Sequence, residues 1–179
     1  MEIVVPERIN STSAYALLSQ NLPSLSLGHA IDVDMLAKEA WKERNIQKAY
    51  YLKIVAAKSF EKIVPEVIPL ELKFRVTQNA AYSYDKAAKN AVLLGFIPAA
   101  IKCRIRACLL HKNLLNLLES SPEQKLHQDE ISRVREDLGY SASHLTEIIN
   151  RNTANWLQYG ISSMNRPYNP QFHSLFRAV

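Results

Sequence analysis

Two stretches of the sequence share one pattern: AKEAWKERNIQKAYYLKIVA at residues 37–56 and AKNAVLLGFIPAAIKCRIRA at residues 88–107. They lie 51 positions apart, and similar residues fall at the same places in both. The matched pairs are Ala37 and Ala88, Lys38 and Lys89, Ile46 and Ile97, Ala49 and Ala100, Ile54 and Ile105, and Ala56 and Ala107. Self-similarity at a fixed spacing is the sequence signature of a structural repeat.

The matched alanines predict two helical hairpins, because small residues at these intervals let two antiparallel helices approach closely. Arg44 occupies the turn of the first hairpin and Gly95 the turn of the second. Each copy is followed by another amphipathic segment, residues 70–88 after the first and 123–150 after the second. We therefore predict an all-α fold of about six helices, in which two antiparallel hairpins are each followed by a third helix as tandem three-helix modules.

The pattern divides the chain into four parts. Residues 1–30 are rich in serine and read as an N-terminal arm with one short apolar run at 14–18. Residues 31–92 would form the first module, and 83–150 the second, with a shared connecting helix. Residues 151–179 would form a basic and aromatic C-terminal tail.

The segment 70–76 fits two kinds of secondary structure. Apolar and polar residues alternate there, which alone indicates a strand. The apolar residues also continue at helical spacing through Tyr84 and Ala88, which indicates a helix. We favour the helix.

The amino-acid composition argues against several other fold classes. The 179 residues are 47% hydrophobic and include only 4 glycines, which argues against sandwiches and barrels because their tight hairpins tend to need glycine. Cys103 and Cys108, the two cysteines, lie five residues apart on one predicted helix and cannot form an ordinary disulfide. The start has no cationic region typical of a secretory signal, and we expect no transmembrane segment. These features predict a cytoplasmic protein.

On the residues of the repeat, the chain resembles two families of helical hairpins over about two thirds of its length. Ala88, Gly95, Ala100 and Ala107 are similar to the small-residue signature of the tetratricopeptide repeat. The same spacing, with a longer third helix, resembles the MIT (microtubule interacting and transport) domain. The acidic residue typical of that domain, four positions after the first alanine, is replaced here by Trp41 and Val92.

Either resemblance implies a non-catalytic protein–protein interaction module that binds a partner peptide or helix in a groove between helices. The resemblance to MIT domains implies an adaptor related to ESCRT or autophagy. The expected partner is an acidic or amphipathic peptide selected by basic residues on the rim. The candidate groove residues are Tyr51, Lys58, Lys73, Arg75, Tyr84, Lys102 and Arg106.

An alternative function is DNA binding. The stretch ISRVREDLGYSASHLTEIIN at residues 131–150 resembles a helix-turn-helix of AraC-type regulators, with Gly139 in its turn. In this interpretation the side chains that would face bases or phosphates are Ser141, Ser143, His144 and Asn150. Six basic residues and no acidic one between Asp85 and Glu119, and a net charge of +5, are compatible with nucleic acid. They also suit an acidic protein partner or a membrane surface.

Motifs for catalysis are absent from the sequence. It has no glycine-rich phosphate loop, HExxH, CxxC pair or GxSxG elbow, and the 5 histidines are scattered. We therefore expect no enzymatic activity, no cofactor and no metal site.

Overall fold

The structure is a computed structural model that describes residues 27–64, 70–122 and 127–163, with side chains up to residue 154. These residues form five helices: α1 (Leu27–Lys42), α2 (Ile46–Ile63), α3 (Leu70–Leu93), α4 (Ile97–Glu119) and α5 (Gln128–Ser163). The described residues contain no strand, so the all-α prediction is confirmed for them. The short apolar run at 14–18 and most of the basic and aromatic tail lie outside the described residues.

The α1–α2 and α3–α4 turns are built in the same way. The amide of Asn45 donates to the Ala40 carbonyl, and the amide of Arg44 donates to that of Trp41. Phe96 and Gly95 donate in the same way to Ala91 and Val92, each 51 positions further along the chain. This pair of bonds defines the Schellman ending of a helix, which needs a left-handed residue in the turn.

Arg44 (φ 59°) and Gly95 (φ 75°) are the left-handed residues of these two turns, as their predicted turn positions required. The next helices then begin differently. Asn45 caps α2 by accepting a hydrogen bond from the Lys48 amide, at 3.0 Å. Helix α4 instead has Pro98 in its first turn, where a missing amide hydrogen is tolerated.

The two turns should respond oppositely to substitution. Arg44→Gly should raise the free energy of unfolding by up to about 1 kcal/mol, because glycine adopts positive φ without steric strain. Gly95→Ala should lower it by about 1 kcal/mol, although the added methyl group would meet no atom within 4 Å. Urea denaturation measures both changes, and equal signs would contradict the assignment of a shared turn conformation.

Each helix packs mainly on its neighbour in sequence, so that the helices follow one another as a zigzag. Hydrogen bonds link α1 to α3 and α3 to α5, while an ion pair links α2 to α4. The matched alanines lie at the helix contacts and are fully buried in both copies: Ala37, Ala49 and Ala56, and Ala88, Ala100 and Ala107. The burial of both sets of matched alanines agrees with the expected packing of helices at these positions.

Several expectations need correction. The described residues form five helices rather than about six. Residues 70–76 are the first part of α3, so the helix favoured there is confirmed and the strand alternative is excluded. The turn predicted at Gly139 is also wrong, because α5 runs through it without a break and continues beyond residue 150 to Ser163. Helix α1 begins at Leu27, inside the predicted arm.

Residues 70–76 form a helix and not a strand because the burial of their apolar side chains follows helical spacing. Val76 is buried, Phe74 packs on a cluster formed by α4 and α5, and Leu72 is exposed. A strand in the predicted register would have placed all three on one side.

Candidate partner-binding groove and buried charge clusters

A groove of about 380 Å³ lies between the end of α2, the first half of α3 and the second half of α4. Its lining is largely aliphatic, with charged or polar groups at a few points. The lining residues are Glu61, Val64, Lys73, Thr77, Leu110, Asn113, Leu114 and Leu117. This volume and this mixture of apolar wall and few polar groups are typical of a binding cleft. We call it the α2–α4 groove.

An ion pair closes one end of the α2–α4 groove. Arg106 on α4 donates to the Glu61 carboxylate on α2, and the Tyr84 hydroxyl on α3 donates to the same carboxylate at 2.9 Å. Three consecutive helices are thereby joined at one point. Among the described residues, the groove begins near the end of α2 and lies between α3 and α4.

A second depression, of about 470 Å³, lies between the N-terminal parts of α3 and α5. Charged side chains of both signs dominate its lining, including Glu71, Arg75, Glu130 and Arg133. Arg75 already pairs with Glu71 at 2.8 Å. Since polar groups contribute a larger share of its lining surface, this depression suits a partner peptide less well than the α2–α4 groove.

The predicted partner-binding residues fall into three groups. Lys73 lines the α2–α4 groove, and Arg106 lies at its closed end. Lys58 is half-buried on α2, whereas Lys102 is exposed on α4 and Arg75 on α3. Tyr51 and Tyr84 belong to the core, with 4% and 2% of their surface exposed. The structure thus places two of the seven predicted residues where a partner cannot reach them.

A buried charge cluster lies among α3, α4 and α5, centred on Asp85. Arg104 donates to one oxygen of the Asp85 carboxylate at 2.5 Å, and the Ser141 hydroxyl donates to the other at 2.7 Å. His111 Nε2 lies 3.4 Å from the second oxygen. The Arg104 guanidinium also lies over the Tyr140 ring, 5.5 Å from its centre. We call this set the Asp85 cluster.

The surroundings of Asp85 stabilise its charged form. Burial by itself raises the pKa of this carboxyl, but hydrogen bonds from His111 and Ser141 and the charge of Arg104 outweigh burial. The pKa of Asp85 therefore lies below its ordinary value. Arg104, which the sequence suggested as part of a positive surface, is 3% exposed and is neutralised by this carboxylate.

A matching cluster lies among α1, α2 and α3, with Asp34 at its centre. Lys53 donates to the Asp34 carboxylate, and the Ser83 hydroxyl donates to the same oxygen at 3.1 Å. Asp34 and Asp85 are 51 positions apart, and so are Lys53 and Arg104. In both clusters the aspartate, the basic residue and the serine come from three consecutive helices. These pairs were not predicted, because the spacing of 51 matches like residues and only the fold brings each basic residue to its aspartate.

The pKa of Asp34 shifts in the same direction as that of Asp85. Burial raises it, and hydrogen bonds from Lys53 and Lys38 more than compensate, so that the pKa lies below its ordinary value. Lys38 adds an ion pair at 2.9 Å from the exposed side of α1. The first cluster is therefore more open to solvent than the second.

The Asp85 cluster contains serine, histidine and aspartate but does not have the geometry of a nucleophilic triad. In such a triad the serine hydroxyl contacts the histidine. Here Ser141 donates to Asp85 instead, and both Ser141 and His111 are completely buried. The arrangement joins α3, α4 and α5 through one buried carboxylate. Among the described residues no group of three or more histidine, cysteine or acidic side chains is placed to hold a metal ion.

The residues of the DNA-binding alternative do not share one surface. Ser141 is buried in the Asp85 cluster, whereas Ser143 and Asn150 are exposed. His144 is half-buried, stacks on Tyr140 with ring centres 4.1 Å apart, and lies 2.9 Å from the Tyr140 carbonyl oxygen through Nδ1. A helix-turn-helix needs a turn between two helices, and α5 supplies none at Gly139. DNA binding stays a prediction without support from this geometry.

The Asp85 cluster should make folding sensitive to acid. Because the pKa of Asp85 is lower in the folded state than its unfolded value of about 3.9, the unfolded chain binds a proton more readily. The stabilisation is present above about pH 5 and is lost as the pH falls through the folded-state pKa. Unfolding free energies in urea between about pH 6 and pH 2 should fall less steeply for Asp85→Asn than for the wild type.

A matched control for this measurement is Asp32→Asn, because Asp32 is exposed on α1. This variant should keep the pH dependence of the wild type. An Asp85→Asn variant with an unchanged pH dependence would show that Asp85 does not couple folding to protonation.

Comparisons of the chain with protein-family models, with curated proteins and with solved structures gave no match. Among the described residues, no helix combines the length and the apolar content needed to cross a bilayer.

Proposed function

We propose that this protein is a non-catalytic interaction module that binds a partner peptide or helix in the α2–α4 groove. The observation that carries the proposal is the groove itself, where Val64 and Leu117 offer apolar contact and Lys73 offers a positive charge. Apolar burial would supply most of the affinity, and Lys73 would favour an acidic partner. Two free cysteines, Cys103 and Cys108, suit a reducing compartment such as the cytoplasm.

The proposal includes a tandem arrangement in which α3 is shared. Residues 31–92 would form one three-helix module and residues 83–150 the other, in the manner of MIT domains or tetratricopeptide repeats. Three observations support it: the matched turns, the buried matched alanines and the two equivalent charge clusters. Each module would then hold one aspartate on its first helix, one base on its second and one serine on its third.

The test selects binding peptides from a displayed random-peptide library on the full chain. Peptides that bind the groove should be apolar and acidic, and should lose about tenfold or more in affinity when the chain carries Lys73→Glu or Leu117→Arg. Lys89→Glu on the exposed side of α3 is the matched control and should bind like the wild type. The proposal is refuted if no selected peptide loses affinity with either groove variant.

A further inference from the structure

One matched pair of the repeat differs sharply in burial. Ile54 on α2 is 1% exposed, whereas Ile105, its equivalent on α4, is 44% exposed. The three matched alanine positions do not differ in this way, since Ala37, Ala49, Ala56 and their counterparts are all fully buried. The difference therefore concerns one face of α4 and not the repeat as a whole.

Helix α4 and its turn cover the corresponding face of α2. The Tyr50 ring contacts the Phe96 ring at the start of α4, with centres 5.9 Å apart, and Glu61 pairs with Arg106. Moved by 51 positions, Tyr50, Ile54 and Glu61 become Ile101, Ile105 and Lys112 on α4. In the described part of the chain, Ile105 and Lys112 are exposed and Ile101 is half-buried. Leu109, one turn beyond Ile105, is 46% exposed.

We propose that this open α4 face, formed by Ile101, Lys102, Ile105, Leu109 and Lys112, binds an amphipathic helix of a partner protein. The partner helix would lie beside α4 as α4 lies beside α2. Its apolar stripe would cover Ile105 and Leu109, and an acidic residue would face Lys112. The proposal concerns a surface on the other side of α4 from the α2–α4 groove and does not depend on that groove.

One pair of equivalent positions carries opposite charges on α2 and α4. This difference indicates the charge that the partner must carry. Glu61 on α2 pairs with a base that α4 supplies, Arg106. The equivalent position on α4 is Lys112, so the next helix must supply an acid where α4 supplies Arg106. Lys102 and Lys112 are both exposed, and within the described residues neither forms a salt bridge. Both would therefore attract acidic flanks.

The positive charges of Lys102 and Lys112 disfavour two other candidate occupants of the open α4 face. A second copy that paired α4 with α4 would bring lysines against lysines, and like charges in an interface are costly. The sequence after Glu147 contains no acidic residue and includes Arg151, Arg166 and Arg177, so it lacks the charge needed to face Lys112. An acidic helix from another protein is the occupant that the charges favour.

The test uses two synthetic peptides of residues 97–119, both with serine in place of the cysteines, because this is the sequence that covers the equivalent face of α2. One peptide keeps Lys102, Arg106 and Lys112, and the other carries K102E, R106E and K112E. Fluorescence anisotropy with the full chain measures both affinities. A second readout is maleimide labelling of Cys108, which is half-exposed one turn after Ile105 and should be protected by a docked helix.

We expect the acidic peptide to bind the wild-type chain about tenfold or more tightly than the basic one, and to slow labelling of Cys108. Ile105→Ser and Leu109→Ser should weaken its binding by a similar factor. Leu93→Ser, on an exposed part of α3, is the matched control and should have no effect. Lys112→Glu in the chain should shift the preference towards the basic peptide.

Three results would overturn the inference: no binding of the acidic peptide, equal binding of both peptides, or binding that ignores Ile105→Ser and Leu109→Ser. Sedimentation tests whether a second copy of the chain occupies the open α4 face instead. A wild-type dimer that the Leu109→Ser substitution dissociates would assign the face to a second copy. The groove variant Lys73→Glu should leave peptide binding at the α4 face unchanged, so the two proposals can fail separately.

Discussion

Asp85→Ala should lower the free energy of unfolding by about 3–5 kcal/mol, because it leaves the Arg104 charge buried without its partner. Arg104 is 3% exposed, and Asp85 also accepts the Ser141 hydroxyl and lies beside His111. A loss of this size is a large part of the stability of a typical domain, about 5–15 kcal/mol. Urea denaturation near neutral pH measures it.

A double variant separates two contributions to this loss of unfolding free energy, the cost of an unpaired buried charge and the cost of lost packing. Asp85→Leu combined with Arg104→Met removes both charges and should be less destabilised than Asp85→Leu alone, because no buried ion is left unpaired. The exposed contact of Asp137 with the Tyr82 hydroxyl, at 2.9 Å, provides the matched control. Asp137→Ala should cost less than about 1 kcal/mol. Equal losses for the single and double variants would contradict this account.

Phe60→Ala should also lower the free energy of unfolding by about 3–5 kcal/mol, through the cavity left in the core. Phe60 is 2% exposed and belongs to the cluster that joins α1, α2, α3 and the first half of α4. The residue at the equivalent position of the second copy is His111, which contributes to a charge cluster instead. Phe60→Ala therefore tests apolar packing without disturbing a charge.

The control for Phe60→Ala is Leu93→Ala, because Leu93 is 60% exposed at the end of α3. It should change the free energy of unfolding by no more than about 0.5 kcal/mol. Thermal and urea unfolding of both variants would show the contrast. Similar losses at the two positions would mean that Phe60 is not held in a packed core.

The helical turns could be predicted from the sequence because they depend on local chemistry. Arg44 and Gly95 stand at equal distances from matched alanines, and a helix that ends there needs a left-handed residue whatever packs around it. The buried alanines followed from the same spacing. Local pattern therefore determined both hairpins and their register.

Other features could not be predicted because they depend on which helix covers which face. Tyr51 and Tyr84 carry hydroxyl groups that suit a binding rim or a core equally well, and packing places both inside. Arg104 stands in a stretch without acids, so only the fold brings Asp85 to it. Gly139 suggested a turn, but α5 continues because Val134, Leu138 and Ser141 lie on the side that packs on α3 and α4.

The zigzag in which each helix packs mainly on the next one keeps most tertiary contacts close together along the chain. Low contact order of this kind is associated with rapid folding, on the scale of microseconds to milliseconds, since little loop entropy is lost before contacts form. Either hairpin has its own Schellman turn and its own aspartate–base pair. Folding can therefore nucleate in either half and propagate across α3, as in other linear arrays of helices.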